Sequence, residues 1–426
     1  MVLALVLGLP HMAHAGPQQA GVARIDLTPP LEMKAALGGY GARMSRPAIG
    51  VHDAIWAKAL VLTRDDRRFA VVTADVLAFP PGFKAALMGR LGTNEFSASQ
   101  IMLLASHSHT SLDMMALHPG NTFGIPQAGV FHKELFELTA DRLATVIRAA
   151  NKNLKAISSA AATTPILDRN RNRRRGGPTH DTDLGVARID TAEGVPLVVL
   201  VNWTAHPTFM DAGDMLFSGD WPGHLQRTME ALIGQGVTVM YYNGAEGDQS
   251  PTPPPDCASG WERAERYGRE MGILAWRAWE KLRPTTVRVF EYRTESIPLP
   301  PRQAHPDFMR TGGTEYGLDA AKMKGFLEIL VPPATHSTVL RLDDFVILGV
   351  PGELAAALGL EAKRAVRGMT HAGCVTIGGL ADEWISYALP AGEYLKGGYE
   401  ASMSFYGETL GSTLVEGVIR CARRLP

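Results

Sequence analysis

Ile101–Asp113 reads IMLLASHSHTSLD, an apolar run that stops at two histidines with one residue between them. Ile101 to Ala105 has the length and composition of a buried strand bounded by polar residues. Side chains alternate along extended chain, so His107 and His109 share a face just past the strand's end. Two imidazoles at a strand terminus begin a metal site, because neutral histidine is a common zinc ligand. Two ligands do not complete one, and a pair of satisfied loop histidines is the plain alternative.

Four further apolar runs end in the same manner. Val195 to Val201 leads into NWTAHPT with His206, and Val237 to Tyr242 leads into NGAEGDQSP with Ser250. Phe345 to Val350 leads into Pro351-Gly352-Glu353, and Val375 to Leu380 leads into DEWISY, which ends at Tyr387. In open α/β sheets ligands bind in the crevice at the carboxyl ends of the strands. Five chemically capable residues at five such ends predict one convergent site. The expected fold is α/β, a mixed sheet core flanked by helices with the site at the strands' carboxyl ends.

Between these runs the periodicity predicts helices over 132–154, 223–233, 261–282 and 354–366, with a last one from about Tyr406. In the longest, Ile273, Trp276 and Trp279 are expected in the core. Gly38-Gly39-Tyr40-Gly41 reads first as a tight turn, although glycines also permit close backbone approach. Ile166 to Pro178 carries Arg169, Arg171, Arg173, Arg174 and Arg175, a run expected to be a solvated loop with one arginine turned inward at most. The segment Pro300 to Thr335 is expected to be loop-rich with one helical patch.

The chain has 426 residues, 46% hydrophobic and 20% charged, the balance of an ordinary globular protein. A net charge of -1 and the lack of a lysine-rich face argue against nucleic acid as a partner. Val2 to Pro10 is apolar, and Ala13-His14-Ala15 before Gly16 resembles a small-residue cleavage site, so residues 1–15 are expected to be a signal peptide. Export to a secreted or periplasmic location follows from that reading. The apolar run is shorter than the roughly 20 residues of a spanning helix, so no transmembrane segment is expected. Cys257, Cys374 and Cys421 suggest neither a disulfide framework nor a thiolate metal site.

Two histidines from different strands and one carboxylate match the ligand set of catalytic zinc, Zn²⁺, with a position left for water or substrate. Bound zinc lowers the pKa of its water to about 7 and polarises a carbonyl. Glu353 would lower the charge of such a centre to +1. Tyr387 would join it only if the metal acidified a phenol whose ordinary pKa is near 10. Taken singly, Glu353 also reads as a carboxylate favoured by a helix N-terminus, and Tyr387 as a half-buried aromatic. His109 can face the same cavity without binding metal, as general base or oxyanion donor. Ser250 lacks the GxSxG pattern of a nucleophile elbow, and its loop also reads as a turn or helix cap.

SHSHTS, NWTAHPTFM, SGDWPG, GDQSP, VPGE and the tail from Tyr387 to Leu410, with GVARIDLTPP, GGYG and TAD before them, resemble the neutral ceramidases. These are zinc-dependent amidases of N-acylated sphingoid bases. The resemblance runs in order from about residue 20 to the C-terminus. It implies zinc ligands His107, His206, Glu353 and Tyr387, catalytic helpers His109 and an arginine at Arg171 or Arg173, and Ser250 at the position proposed as nucleophile. It makes residues 16–426 a single catalytic domain. Departures are present too: no sequence remains for the family's C-terminal immunoglobulin-like domain, the TTxEEY segment is ALPAGEY (Ala388 to Tyr394), and the arginine run replaces an NRSP-like segment. The expected function is zinc-dependent cleavage of the amide bond of ceramide or a related N-acyl lipid, with peripheral membrane contact possible. The alternatives are a zinc esterase or lactonase, and a non-catalytic acyl-lipid binding protein.

Overall fold

Aliphatic and β-branched runs become strands close to where their length and composition place them. The structure, a computed structural model, describes residues 16–92, 94–177 and 179–425. The leader expected over residues 1–15 lies outside them. In chain order the larger sheet uses β1 (Gln19–Asp26), β2 (Trp56–Arg64), β3 (Arg67–Ala74) and β4 (Ile101–Ala105). It continues with β5 (Lys155–Pro165), while β6 (Asn170–Asn172) stands apart from it. Then come β7 (Asp183–Thr191), β8 (Pro196–Trp203) and β9 (Thr238–Asn243), followed by the short β10 (Gln249–Pro251), which pairs with β6. The smaller sheet uses β11 (Phe290–Pro298), β12 (Ala334–Leu342), β13 (Phe345–Gly349) and β14 (Cys374–Gly378).

The larger sheet has the order β9-β8-β7-β5-β1-β2-β3-β4, with Thr285–Thr286 added against β5 as the ninth strand. Its outer pairs are parallel and its middle antiparallel, the mixed sheet expected. β1 and β5 share only the register pairs Gln19↔Ala156 and Ala20↔Lys155. That narrow junction lets the sheet curl until its two end strands touch. At their carboxyl ends Asn243 Nδ2 donates to the carbonyl of Ser106 at 3.4 Å. The loops after β4 and after β8 and β9, far apart in strand order, are thereby brought to one place.

The smaller sheet, β11-β12-β13-β14, packs onto the inside of the curl. Leu60, Val71, Met102, Leu104, Leu200 and Met240 from the large sheet meet Leu340, Ile347 and Cys374 from the small one in a single buried cluster. The approach is close: a Cβ on Gly378 would come 2.7 Å from Leu104 Cδ2. Outside the large sheet, α1 (Lys133–Lys152) covers β1 and β2, and α2 (Asp220–Ile233) with α3 (Gly260–Lys281) covers β7 to β9. Behind the small sheet lie α4 (Ala356–Thr370) and α5 (Leu410–Ala422). No helix of the described residues is long and apolar enough to cross a membrane.

Three local expectations need correction. α3 buries Ala264, Tyr267, Met271, Ala275 and Ala278, whereas Ile273 is 37% exposed and Trp276 and Trp279 are half-buried. Ile273 is two residues beyond Met271, about 200° round the helix, which turns it to solvent. Gly39 is no plain turn residue: with φ +93° it lies under the His109 ring, where a Cβ would come 2.2 Å from Nδ1. The arginine run is not a solvated loop either, because Arg173 and Arg174 are drawn in by Glu393 and Glu400 from near the C-terminus.

Candidate active site

His107 follows β4 with φ +67°, a left-handed conformation that histidine tolerates better than branched residues do. Its Nδ1 lies 2.7 Å from the carbonyl of Leu77. His206, fully buried after β8, places Nδ1 2.8 Å from the carbonyl of Glu246 and 3.1 Å from that of Gln249. A carbonyl can only accept, so in the neutral state each ring carries its proton on Nδ1 and turns the Nε2 lone pair inward. Burial, with Arg173 acting the same way, lowers the pKa of His206 to about 4, which favours that neutral state.

Glu353 meets both lone pairs. Its Oε2 lies 3.1 Å from His206 Nε2 and 3.5 Å from His107 Nε2, while Oε1 accepts from Trp384 Nε1 at 2.8 Å. Burial opposes ionisation of Glu353, and only positive charge or a proton on the facing His107 and His206 rings outweighs it and holds the carboxyl well below its usual range. Tyr387 stands beside Glu353 because Glu353–Leu354 and Tyr387–Ala388 form a short parallel pair. Its hydroxyl lies 3.5 Å from His206 Nε2 and accepts from Arg173 Nη2 at 3.1 Å. Burial, then Glu353, pushes this phenol well above 10, and a bound cation would reverse that.

Two imidazole lone pairs and a carboxylate oxygen thus face one another with no N–H between them. Such a set repels itself unless a cation sits within it. The carbonyl braces on both Nδ1 atoms are the usual second partners of metal-ligating histidines. The donors present fit a divalent ion of zinc's type.

His109 lies beside this cluster, its ring centroid 4.9 Å from that of His107 and 6.0 Å from that of His206. Neither ring nitrogen has a hydrogen-bond partner. Burial, and then His107 and His206, lower its pKa well below the ordinary value, so it rests as a neutral base. Tyr40 packs against its ring, and the buried Arg43 donates to its carbonyl. His107, His109, Glu353 and Tyr387 all line a cleft of about 890 Å³, open solvent at its mouth included. Its walls are largely apolar, with Leu77, Met114, Met115, Phe326, Met403 and Phe405 among them. The segment between β11 and β12 supplies Phe326 from the helix Ala320–Leu330. One wall residue is acidic: Asp113 is buried, and burial raises its pKa to about 7.

Residues 19–263 match the family described as neutral/alkaline non-lysosomal ceramidase, N-terminal. The chain belongs to that family. A neutral ceramidase of Drosophila pseudoobscura pseudoobscura is 27% identical over 276 residues, 59% of this chain and 38% of that protein. The neutral ceramidase of Pseudomonas aeruginosa is 22% identical over 488 aligned positions, 95% of this chain and 71% of that protein. The match thus spans well under half the length of the Drosophila relative. The fold is that of a ceramidase solved in complex with C2, with a TM-score of 0.83 at 17% identity over 96% of this chain and 76% of that one. The crystal structure of the neutral ceramidase from Pseudomonas aeruginosa superposes with a TM-score of 0.79 at 20% identity, over 96% of this chain and 75% of that one.

Of the residues that the family resemblance implied, five gather at the cleft floor: His107, His109, His206, Glu353 and Tyr387. Arg173 joins them through Tyr387 and is tied to Glu400 at 2.8 Å and to the carbonyl of Gly247 at 3.0 Å. Ser250 and Arg171 are brought to each other instead. They are register partners across β10 and β6 and line a separate surface depression with Thr208, Phe209 and Pro253. Sequence reasoning passed over Trp384, Glu400, Asp113 and Glu246. Trp384 and Glu246 lie inside segments already flagged, three residues from Tyr387 and four from Ser250, so their position was a usable signal. Glu400 lies within the tail from Tyr387 to Leu410, but nothing local marks it out, because its role depends on that segment folding back against Arg173 and Arg174.

Proposed function

We propose that this chain is a zinc-dependent hydrolase that cleaves the amide bond of ceramide or a related N-acyl lipid, releasing a fatty acid and an amine. The observation that carries the reading is the acceptor-only cluster at the floor of an apolar cleft. Lone pairs that require a cation stand where an acyl chain can lie against methionine and phenylalanine. His107, His206, Glu353 and Tyr387 would hold the zinc. When bound, it supplies Lewis-acid polarisation of the substrate carbonyl and a lowered pKa for water.

The chain's own residues supply the rest. The cleft walls desolvate the acyl chain, and the neutral His109 takes a proton at a ring nitrogen and returns it to the departing amine. Arg173 holds the Tyr387 hydroxyl in place and adds positive charge where negative charge develops. Water is the attacking group in this reading. Ser250 lies in the outer depression, and its Oγ has no hydrogen-bonded base among the described residues. There Ser250 and Arg171 serve the substrate's exposed end. Residues 16–426 act as one catalytic domain, the location is secreted or periplasmic, and a peripheral membrane contact presents the lipid.

Zinc-loaded protein incubated with a mixed N-acyl lipid extract should yield free fatty acid and the matching amine by mass spectrometry. Turnover of esters or lactones with amides untouched would keep the metal and change the bond. No turnover of any of them would leave an acyl-lipid binding protein.

A further inference from the structure

Glu246 sits in the loop after β9 with no solvent exposure, and neither carboxylate oxygen has a hydrogen-bond donor from another residue. A buried carboxyl without a partner is costly, and a folded protein retains one where something compensates it. Its surroundings narrow the choice. Ligand atoms of Glu246, His107 and Glu353 all lie within 4.8 Å of one another. The His107 proton is committed to the carbonyl of Leu77, so neither His107 nor the Glu353 carboxylate offers Glu246 a donor. Backbone packs directly on the other side: a Cβ on Gly379 would come 2.6 Å from Glu246 Oε2, so this wall carries no side-chain donor. The backbone carbonyl of Glu246 meanwhile braces His206 Nδ1 at 2.8 Å.

We propose that Glu246 is a further carboxylate ligand of the metal centre, standing with His107, His206, Glu353 and Tyr387. The inference rests on the metal reading above and deepens it. Two carboxylates against a dication make the charge of the buried site zero, and Arg173, donating to the Tyr387 hydroxyl, offsets the further charge of an ionised tyrosine. A neutral centre is the arrangement a solvent-excluded pocket tolerates best. One loop residue then does two jobs, its side chain toward the ion and its main chain toward a histidine that also faces it.

The test uses the full chain stripped of metal with a chelator and titrated with zinc alone against a chromophoric competitor. Wild type should bind one zinc, and Glu246→Gln should weaken it by more than the roughly 10–100-fold that loss of an outer-shell partner costs. With cobalt in place of zinc, the visible spectrum should change in the variant. The metal-free Glu246→Gln protein should melt no lower than metal-free wild type, since it has lost an uncompensated carboxylate. Unchanged zinc affinity and an unchanged cobalt spectrum would overturn the role of Glu246 while leaving the metal reading intact. A wild type that binds no zinc would overturn both. If the glutamine variant does not fold, a zinc-soaked wild-type crystal decides, because an ion beyond the roughly 2.0–2.2 Å reach of a carboxylate ligand at Glu246 overturns the proposal.

Discussion

Two hollows, the inner cleft and the surface depression lined by Arg171 and Ser250, differ in nearly every physical respect. The inner one is largely apolar, walled in part by Phe326 of the helix Ala320–Leu330, and ends where the Nε2 lone pairs of His107 and His206 face Glu353 Oε2. The outer one is shallow and proline-rich, and exposes Arg171 beside Ser250. Arg171 and Arg173 are two residues apart, a spacing that puts side chains on one face of a strand. They separate because β6 ends at Asn172 and Arg173 is caught by the Asp248 carbonyl, Glu400 and Tyr387. Residue type therefore does not tell which hollow performs chemistry; burial and partners do.

The largest test of that contrast is Glu353→Gln. It should keep the fold, lose more than the roughly 10–100-fold in zinc affinity expected for a mere supporting residue, and bring hydrolysis close to background. Elemental analysis showing undiminished zinc would remove Glu353 from the ligand set. Next come the two arginines. Arg173→Ala should cost about 10²–10³ in rate, as for a lost oxyanion-type donor, while the exposed Arg171→Ala stays within a few-fold. Reversed magnitudes in parallel kinetic assays would move the working face to the outer hollow.

Ser250→Ala separates the two hollows chemically. With water as the attacking group, the loss should be on the order of 10²-fold or less, the size of one polar contact. Rapid-quench traces should show no burst. A stoichiometric burst with an acyl group trapped on Ser250 would make the outer hollow the seat of a covalent step.

The smallest effect concerns stability at the inner wall. Burial raises the folded-state pKa of Asp113 to about 7, from an ordinary value of 3.8. The folded state thus binds the proton more tightly than the unfolded one, so stability from this group falls as pH rises from about 4 to 7. Asp113→Asn should melt higher than wild type at pH 8 and lose that advantage near pH 4. Equal melting at both pH values would mean that water or a cation already compensates the carboxylate.

Local composition was enough to place the strands and the residues that stand at their carboxyl ends. Apolar runs bounded by polar residues are local signals, and Ile101–Ala105 emerges as a strand with the bounds its composition marks. It also determined the histidine pair, because a period of two is a property of the extended chain. What it left open needed distance. His107 and His206 follow strands well separated in sheet order, and they meet only because the sheet curls at the two-pair junction of β1 and β5 until Ser106 and Asn243 touch. Arg173 was indistinguishable from Arg171 until Glu400, more than two hundred residues later, folded back against it. The unpaired state of Glu246 is likewise no property of NGAEGDQSP. Whether a carboxylate is compensated depends on every group that surrounds it, and in this chain those groups arrive from four different strand ends.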